Sequence, residues 1–213
     1  MSEKSYQAIR EYQASKTKLP KIKPTKDLFD RSLVDRYVLN LLESQLKSFS
    51  EERGIPINIL KRHKIGWDGY AYTLPIYQEN GFLIGFRRKI PGGDTISKKG
   101  SQAGLFNVEC LKAASYGVII YICEGEWDAM ALEAQGYEYV VGVPGAFTFM
   151  KEWLHLFKDR HVVILYDADQ TGQSRSKVVA KMLTGFALSV KNVDLSKILS
   201  RGKDVRDFFN GNR

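Results

Sequence analysis

Residues 118–126 read Val118-Ile119-Ile120-Tyr121-Ile122-Cys123-Glu124-Gly125-Glu126. Six apolar residues in a row, mostly β-branched and too few for a helix, are the pattern of a strand buried on both faces. The run breaks off on an acid, a glycine and a second acid. The pattern returns at His161-Val162-Val163-Ile164-Leu165-Tyr166-Asp167, which runs into Ala168-Asp169-Gln170-Thr171-Gly172. Between and after these runs the chain alternates. WDAMALEAQG (127–136) reads as a helix stopped by glycine, YVVGV (139–143) as a short strand, and 148–158 as helical. SRSKVVAKMLTGFAL (174–188) reads as a helix and SVKNVDL (189–195) as a last, weaker strand. Strands alternating with helices predict an α/β fold, a parallel sheet with helices on both faces. Ligands of such sheets bind beyond the C-terminal strand ends, near the point where strand order reverses.

Two acidic strand ends therefore draw the chemistry. Side chains alternate along extended chain, so Asp167 and Asp169 point to one side. If the strands at 118–123 and 161–167 are neighbours, Glu124 joins them in one crevice. Crowded carboxylates repel unless some protonate or a cation lies between them. Hard oxygen donors without Cys or His select Mg²⁺ or Mn²⁺ rather than zinc. Gly125 and Gly172 permit close backbone approach beside these acids. A strand ending in Glu is common, however, and D-x-D after a strand is also where helix-capping aspartates sit. Asp204, in GKDVRDFF, is read equally as a fourth carboxylate or as the N-cap of the last helix. Glu126 and Asp128 support the site or steady the positive end of the helix that follows.

Upstream the character changes. Residues 1–26 end in KTKLPKIKPTK, basic and proline-interrupted, and read as a flexible arm. Residues 27–117 form a smaller α+β unit, and 118–213 the α/β unit. Apolar residues from Leu28 to Leu46 recur at three and four, predicting one amphipathic helix that Gly54 stops; Pro56 opens another. YAYTLPIY, the pair Asn80-Gly81, and FLIGFRRKI predict a hairpin. PGGDTISKKGSQAG reads as a loop, and its spacing matches no Walker-type phosphate loop.

The chain of 213 residues carries a net charge of +8 with 44% hydrophobic residues, an ordinary globular balance. Residues 1–66 carry a net +6, residues 67–117 a net +2, and the acid-bearing remainder a net of zero. Basic charge in the first half suits a phosphate backbone, or equally a solubilising surface. Two cysteines, Cys110 and Cys123, exclude a Cys-rich zinc module and read as buried free thiols. No apolar run is long enough to span a membrane and no secretory signal opens the chain, so an intracellular location is the default.

VIIYICEGEWDAMAL, VVGVPGAFT, VVILYDADQTG and GKDVRDFF together resemble the TOPRIM domain, shared by DnaG-type primases, topoisomerases and some nucleases. ERGIPINILKRHKIGWDG, YTLPIYQENGFLIGFRRK and SKKGSQAGLFN look like the N-terminal subdomain of the DnaG-type primase RNA-polymerase core, as in bacterial, phage and plasmid primases. The likeness spans roughly residues 50–210. It implies a DNA-directed RNA polymerase that makes short RNA primers on single-stranded DNA from ribonucleoside triphosphates. Under it Glu124, Asp167 and Asp169 match the metal-binding acids and Asp204 a further one. Arg206 stands where the family often has another acid, and Asp207 lies one residue out of register. Arg87 and Lys99 (or Lys98) match basic positions that handle nucleotide phosphates or template. Arg87, Arg88, Lys89, Lys98 and Lys99 would then wall a groove for single-stranded DNA, with Trp67, Tyr70 and Tyr72 as base-stacking candidates or core. A replicative helicase, fused or separate, is the implied partner. The usual zinc module is placed on another polypeptide, or on a longer form of this chain, or start-site choice works differently. A TOPRIM-type nuclease using the same acids and a non-catalytic single-stranded-DNA-binding accessory are the competing readings.

Overall fold

The computed structural model describes residues 26–200 and 203–210. The basic arm read at 1–26 lies, Lys26 apart, outside the described residues. Helix α1 (Ser32–Asn40) and helix α2 (Glu43–Arg53) open the fold. The single helix predicted across this stretch is thus two. Leu41 and Leu42 are extended, and the Gln45 side chain accepts a bond from the Leu42 N–H at 3.0 Å, capping a new start. Apolar spacing alone carries no sign of this break, because both helices bury the same kind of face. Gly54 ends α2 in the left-handed conformation (φ 64°). Helix α3 (Ile57–Arg62) follows from Pro56.

Four strands then form an antiparallel sheet in the order β1 (Gly66–Trp67), β2 (Tyr72–Tyr77), β3 (Leu83–Lys89), β4 (Thr95–Ser97). The β2–β3 hairpin turns at Asn80-Gly81, with Gly81 at φ 85° and the Asn80 side chain accepting from the Phe82 N–H. Strand β4 falls in the segment predicted as loop. It is three residues long at an edge, pairing Lys89 with Thr95 and Arg87 with Ser97, too short for a sequence period. A brief helix α4 (Cys110–Ala113) leads into the second half.

There the sheet is parallel. Its strands are β5 (Ile119–Cys123), β6 (Val140–Gly142), β7 (His161–Leu165) and β8 (Ser189–Asn192), in the order β6-β5-β7-β8. Helix α5 (Glu126–Ala134) joins β5 to β6, a 3-10 helix (Lys151–Phe157) joins β6 to β7, and helix α6 (Gln170–Leu183) joins β7 to β8. Helix α6 begins four residues before its predicted start, because Asp169 caps it and the polar QTGQ turn is already helical. Helix α7 (Val205–Asn210) comes last. Alternation along β5 splits the core. Ile120 and Ile122 face Trp153, Phe157, Val179 and Leu183 of the 3-10 helix and α6. Tyr121 and Cys123 face the other side, where Trp127 and Met130 of α5 pack with Phe49, Ile59 and Leu74 from the first half. That second cluster is common to both halves. Phe106 also pairs with Gly142 at the β6 edge, so the chain before residue 118 contributes to the parallel sheet. No helix among the described residues is long and apolar enough to cross a membrane.

Candidate metal and nucleotide site

The sheet order puts the switch point between β5 and β7. From β5 the chain leaves to one side to form β6, then returns to the other side as β7. The two strands pair from Ile119–His161 to Cys123–Leu165. Glu124 therefore stands one step past β5 and Asp167 two steps past β7. The Asp167 N–H donates to Glu124 Oε2 at 3.3 Å. Gly172, in the first turn of α6, packs onto both: a Cβ there would lie 2.6 Å from the Asp167 carbonyl and 2.7 Å from Glu124 Oε2.

Three further acids surround this pair. Asp128, in the first turn of α5, is buried. Asp204 is brought in by a backbone bond from the Ala168 N–H to the Lys203 carbonyl, 2.8 Å, which ties the last segment to the D-x-D loop. Asp204 also caps α7: its Oδ1 accepts from the Asp207 N–H at 3.0 Å, and Asp207 returns the bond to the Asp204 N–H at 3.1 Å. Asp169 caps α6 through the Gly172 N–H at 2.6 Å. Each therefore fills the capping role, and Asp204 meets the acid cluster as well.

The electrostatics separate the acids. Burial pushes the Asp167 carboxyl up to about 8, with Asp128, Glu124, Asp204 and Asp169 all adding to the rise. Its side chain accepts no hydrogen bond among the described residues. Burial also raises Glu124, against the Asp167 N–H bond. Asp128 and Asp204 are instead claimed by Arg206. Its Nε lies 2.9 Å from Asp128 Oδ1, and a second nitrogen holds Asp204 Oδ2. Burial pushes Asp128 up while Arg206 pulls it back. Sequence reading gives Asp128 only a supporting place; its four-residue distance from Glu124 straddles a strand end and a helix, so no single periodicity pairs them.

Among the described residues, no group of three His, Cys, Asp or Glu side chains is arranged to hold a metal ion by itself. The donor set still fits a hard cation. Mg²⁺ takes one or two carboxylates and fills the rest with waters and substrate phosphates. Glu124 and Asp167 are two adjoining, half-buried carboxyls, and burial together with the neighbouring acids disfavours the charged form of Asp167, a penalty that a bound cation would relieve.

The basic residues are distributed unevenly. Arg87 Nε lies 2.7 Å from Glu126 Oε1, a charge contact off hydrogen-bond angle, while its Nη1 donates to Ser97 Oγ. Arg88 pairs with Asp68 at 2.5 Å. Lys98 lies over the Tyr37 ring, its Nζ 5.9 Å from the centroid, and Lys99 is exposed. Sequence reading does not mark Arg53 as a site residue and gives Lys89 only a place in the wall. Burial lowers Arg53, and Arg206 lowers it further; burial lowers Lys89, and Arg53 adds to it. Of these cations Arg206 alone contacts the acidic cluster, while Lys89 Nζ donates to the Gly93 carbonyl. Arg53 leans over the Phe49 and Trp127 rings, and its Nε is buried without a hydrogen-bond partner. Only tertiary packing joins Arg53 from α2 to Lys89 from β3. Of the aromatics, Tyr70 is exposed, Trp67 half-buried, and Tyr72 buried against Phe49. Both thiols are pushed up by burial, Cys110 to about 12, as unreactive core groups.

Residues 121–209 match the family described as Toprim-like. The fold matches the Escherichia coli primase catalytic core with a TM-score of 0.65 and 18% identity, over 84% of this chain and 74% of that one. It matches the primase fragment of the bacteriophage T7 primase-helicase protein with a TM-score of 0.62 and 19% identity, over 93% and 81%. A DnaG primase catalytic domain bound to single-stranded DNA matches at a TM-score of 0.67 and 18% identity, over 84% and 72%. A comparison with curated proteins gave no match. The acids lie within the matched segment, and the antiparallel sheet lies before it. The chain therefore has the DnaG-type primase catalytic fold, with a Toprim-like domain over residues 121–209.

Proposed function

We propose that the chain is the catalytic core of a DNA primase, a nucleotidyltransferase that makes short RNA primers on single-stranded DNA during replication. The observation that carries this reading is the half-buried Glu124–Asp167 pair at the switch point, with Asp128, Asp169 and Asp204 around it. A polymerase must place a nucleotide's phosphates against a divalent ion while cations neutralise their outer charge. In this reading residues 27–117 form the template-side unit, residues 118–213 the catalytic unit, and 1–26 a basic arm.

Glu124 and Asp167 would hold Mg²⁺ or Mn²⁺, and Asp169 and Asp204 would stand beside them. The ion, when bound, supplies charge neutralisation at the phosphates of the incoming ribonucleoside triphosphate. Arg53, whose Nε has no hydrogen-bond partner, would be drawn on for the outer phosphates. Gly172 keeps the floor of the crevice low enough for the Glu124 carboxyl to reach it. The primer 3′-hydroxyl attacks the α-phosphate and pyrophosphate leaves. Lys98 and Lys99 would take up template phosphates. Arg87 and Arg88 would do so only by giving up Glu126 and Asp68, so their first task is to fasten the hairpin. A replicative helicase, fused or separate, is the proposed partner.

The test is primer synthesis from the four ribonucleotides on a single-stranded template with Mg²⁺ or Mn²⁺. Glu124→Gln and Asp167→Asn should each lower synthesis by on the order of 10³-fold while template binding is kept. Template cleavage without primer would replace this reading with the nuclease one. Binding without either activity would replace it with the accessory one.

A further inference from the structure

Arg206 is the one cation inside the acidic cluster, among the described residues, whose partners are both buried carboxylates. Its Nε lies 2.9 Å from Asp128 Oδ1 and its other arm holds Asp204 Oδ2. Neither acid is free to swing. Asp128 is 7% exposed and Asp204 9%. Asp204 is further fixed by the reciprocal cap with Asp207. Arg206 itself rides in the first turn of α7, so the backbone that carries it is set by the same cap. Asp128 is fixed from the other side, where Gly125 leaves room for its Oδ2; a Cβ at that glycine would lie 2.6 Å from it.

Two buried carboxylates with no cation between them would not remain ionised side by side. Here the chain supplies the cation. A guanidinium is planar, permanently charged and weakly hydrated, so it bridges two carboxylates in a buried setting better than an ammonium would. It also occupies the oxygens a metal would need. Asp128 Oδ1 and Asp204 Oδ2 each accept a charge-assisted bond, the strong kind, and a divalent ion at these oxygens would have to compete with the guanidinium for both. The neighbouring pair, Glu124 and Asp167, has no such cation among the described residues.

We propose that Arg206 is a built-in counter-cation that bridges Asp128 and Asp204, offsets part of their charge and so limits the acidic cluster to a single divalent ion, held at Glu124 and Asp167. This rests on the reading of Glu124 and Asp167 as metal-holding acids. It makes Arg206 a positioning residue that sets metal stoichiometry. Arg206 holds Asp128 and Asp204 still, so that their charge raises the affinity of the neighbouring pair for the one ion without contacting it.

The experiment counts Mn²⁺ bound per full-length chain, from the loss of free Mn²⁺ signal in electron paramagnetic resonance, without nucleotide. The wild-type protein should bind one ion. Asp167→Asn should abolish that binding. Asp128→Asn should keep the count at one and weaken affinity by no more than about tenfold, the range of a charge acting through space rather than by ligation. Arg206→Ala should bind a second ion, whereas Arg206→Lys should stay at one. Two ions on the wild-type chain, a lost ion in Asp128→Asn, or one ion in a folded Arg206→Ala would each overturn the proposal. If Arg206→Ala does not fold, the wild-type count and Asp128→Asn decide it. No bound Mn²⁺ on the wild-type chain would overturn the functional reading beneath it, which separates the two failures.

Discussion

Gly172→Ala tests the packing that joins the two acidic strand ends. A methyl at this position would lie 2.6 Å from the Asp167 carbonyl oxygen, 2.7 Å from Glu124 Oε2 and 3.1 Å from the Asp167 nitrogen. Two of the three obstacles are backbone, so no rotamer relieves them. Moving a contact from 2.6 Å to an ordinary 3.4 Å requires a shift of 0.8 Å between the start of α6 and the end of β7. Against this stands the helix preference for alanine over glycine, about 0.5–1 kcal/mol in favour. Overpacking of a close-packed site costs about 1–3 kcal/mol, and two backbone obstacles put this site in the upper half of that range, so the net is a loss of ~1–2 kcal/mol. In urea unfolding with a slope of about 2 kcal/mol/M, the midpoint should fall by roughly 0.5–1 M. Because Glu124 must also give way, Mn²⁺ affinity should drop in the same variant. A Gly172→Ala protein with a midpoint above the wild type and unchanged Mn²⁺ affinity would refute the packing argument.

Asp167 gives a pH signature. Its carboxyl is raised from 3.8 to about 8 in the folded chain. Protonation therefore favours the folded state: the stabilisation is full below pH 3.8 and is lost as pH rises through about 8. Metal-free protein should lose stability as pH rises from 3.8 to about 8 and change little above that in thermal melts, and Asp167→Asn should flatten that slope. Mn²⁺ binding at pH 7 should release a proton, measurable by calorimetry in buffers of different ionisation heat. Glu133, 8% exposed, is held by Arg62 and by His63 at 2.5 Å. Burial pulls its carboxyl up, but the His63 and Arg62 bonds bring it below its usual value. Glu133→Ala should cost about 1–3 kcal/mol in urea unfolding by leaving both partners at the end of α3 unmatched. Lys98→Ala with Lys99→Ala should weaken template binding and flatten its salt dependence by about one to two units of slope, roughly one for each phosphate no longer neutralised.

What can be read in the chain ahead of the structure divides along physical lines. The parallel half is legible because β5 and β7 are unbroken apolar runs, buried on one face and covered only in part on the other. Their abrupt ends on Glu124 and Asp167 locate the crevice. The first half is less so. Leu41 and Leu42 continue the helical spacing through a point where the helix stops, and nothing in periodicity distinguishes the two. Strand β4 has three residues, fewer than any pattern needs. Asp169 and Asp204 carry two readings because a cap and a ligand use the same side chain at the same place. Asp128, Asp204 and Arg206 come together from α5 and the start of α7, and proximity of that kind is written in tertiary packing. Arg206 shows itself in sequence only as an acid's absence; the structure shows what the guanidinium holds.

The pairing of β5 with β7 sets a ruler whose zero lies at the acidic rim. Cys123 faces Leu165, and the pair's geometry depends on one residue beyond the first strand and two beyond the second. Deleting one residue near either C-terminal end would present Gly125, or Ala168, where a carboxyl belongs. Residues added at Tyr116-Gly117 or Asp159-Arg160, on the opposite rim, leave that measurement untouched. Length variation in this half of the molecule is therefore permitted from one end only, and tagging, permutation or loop grafting should be aimed there.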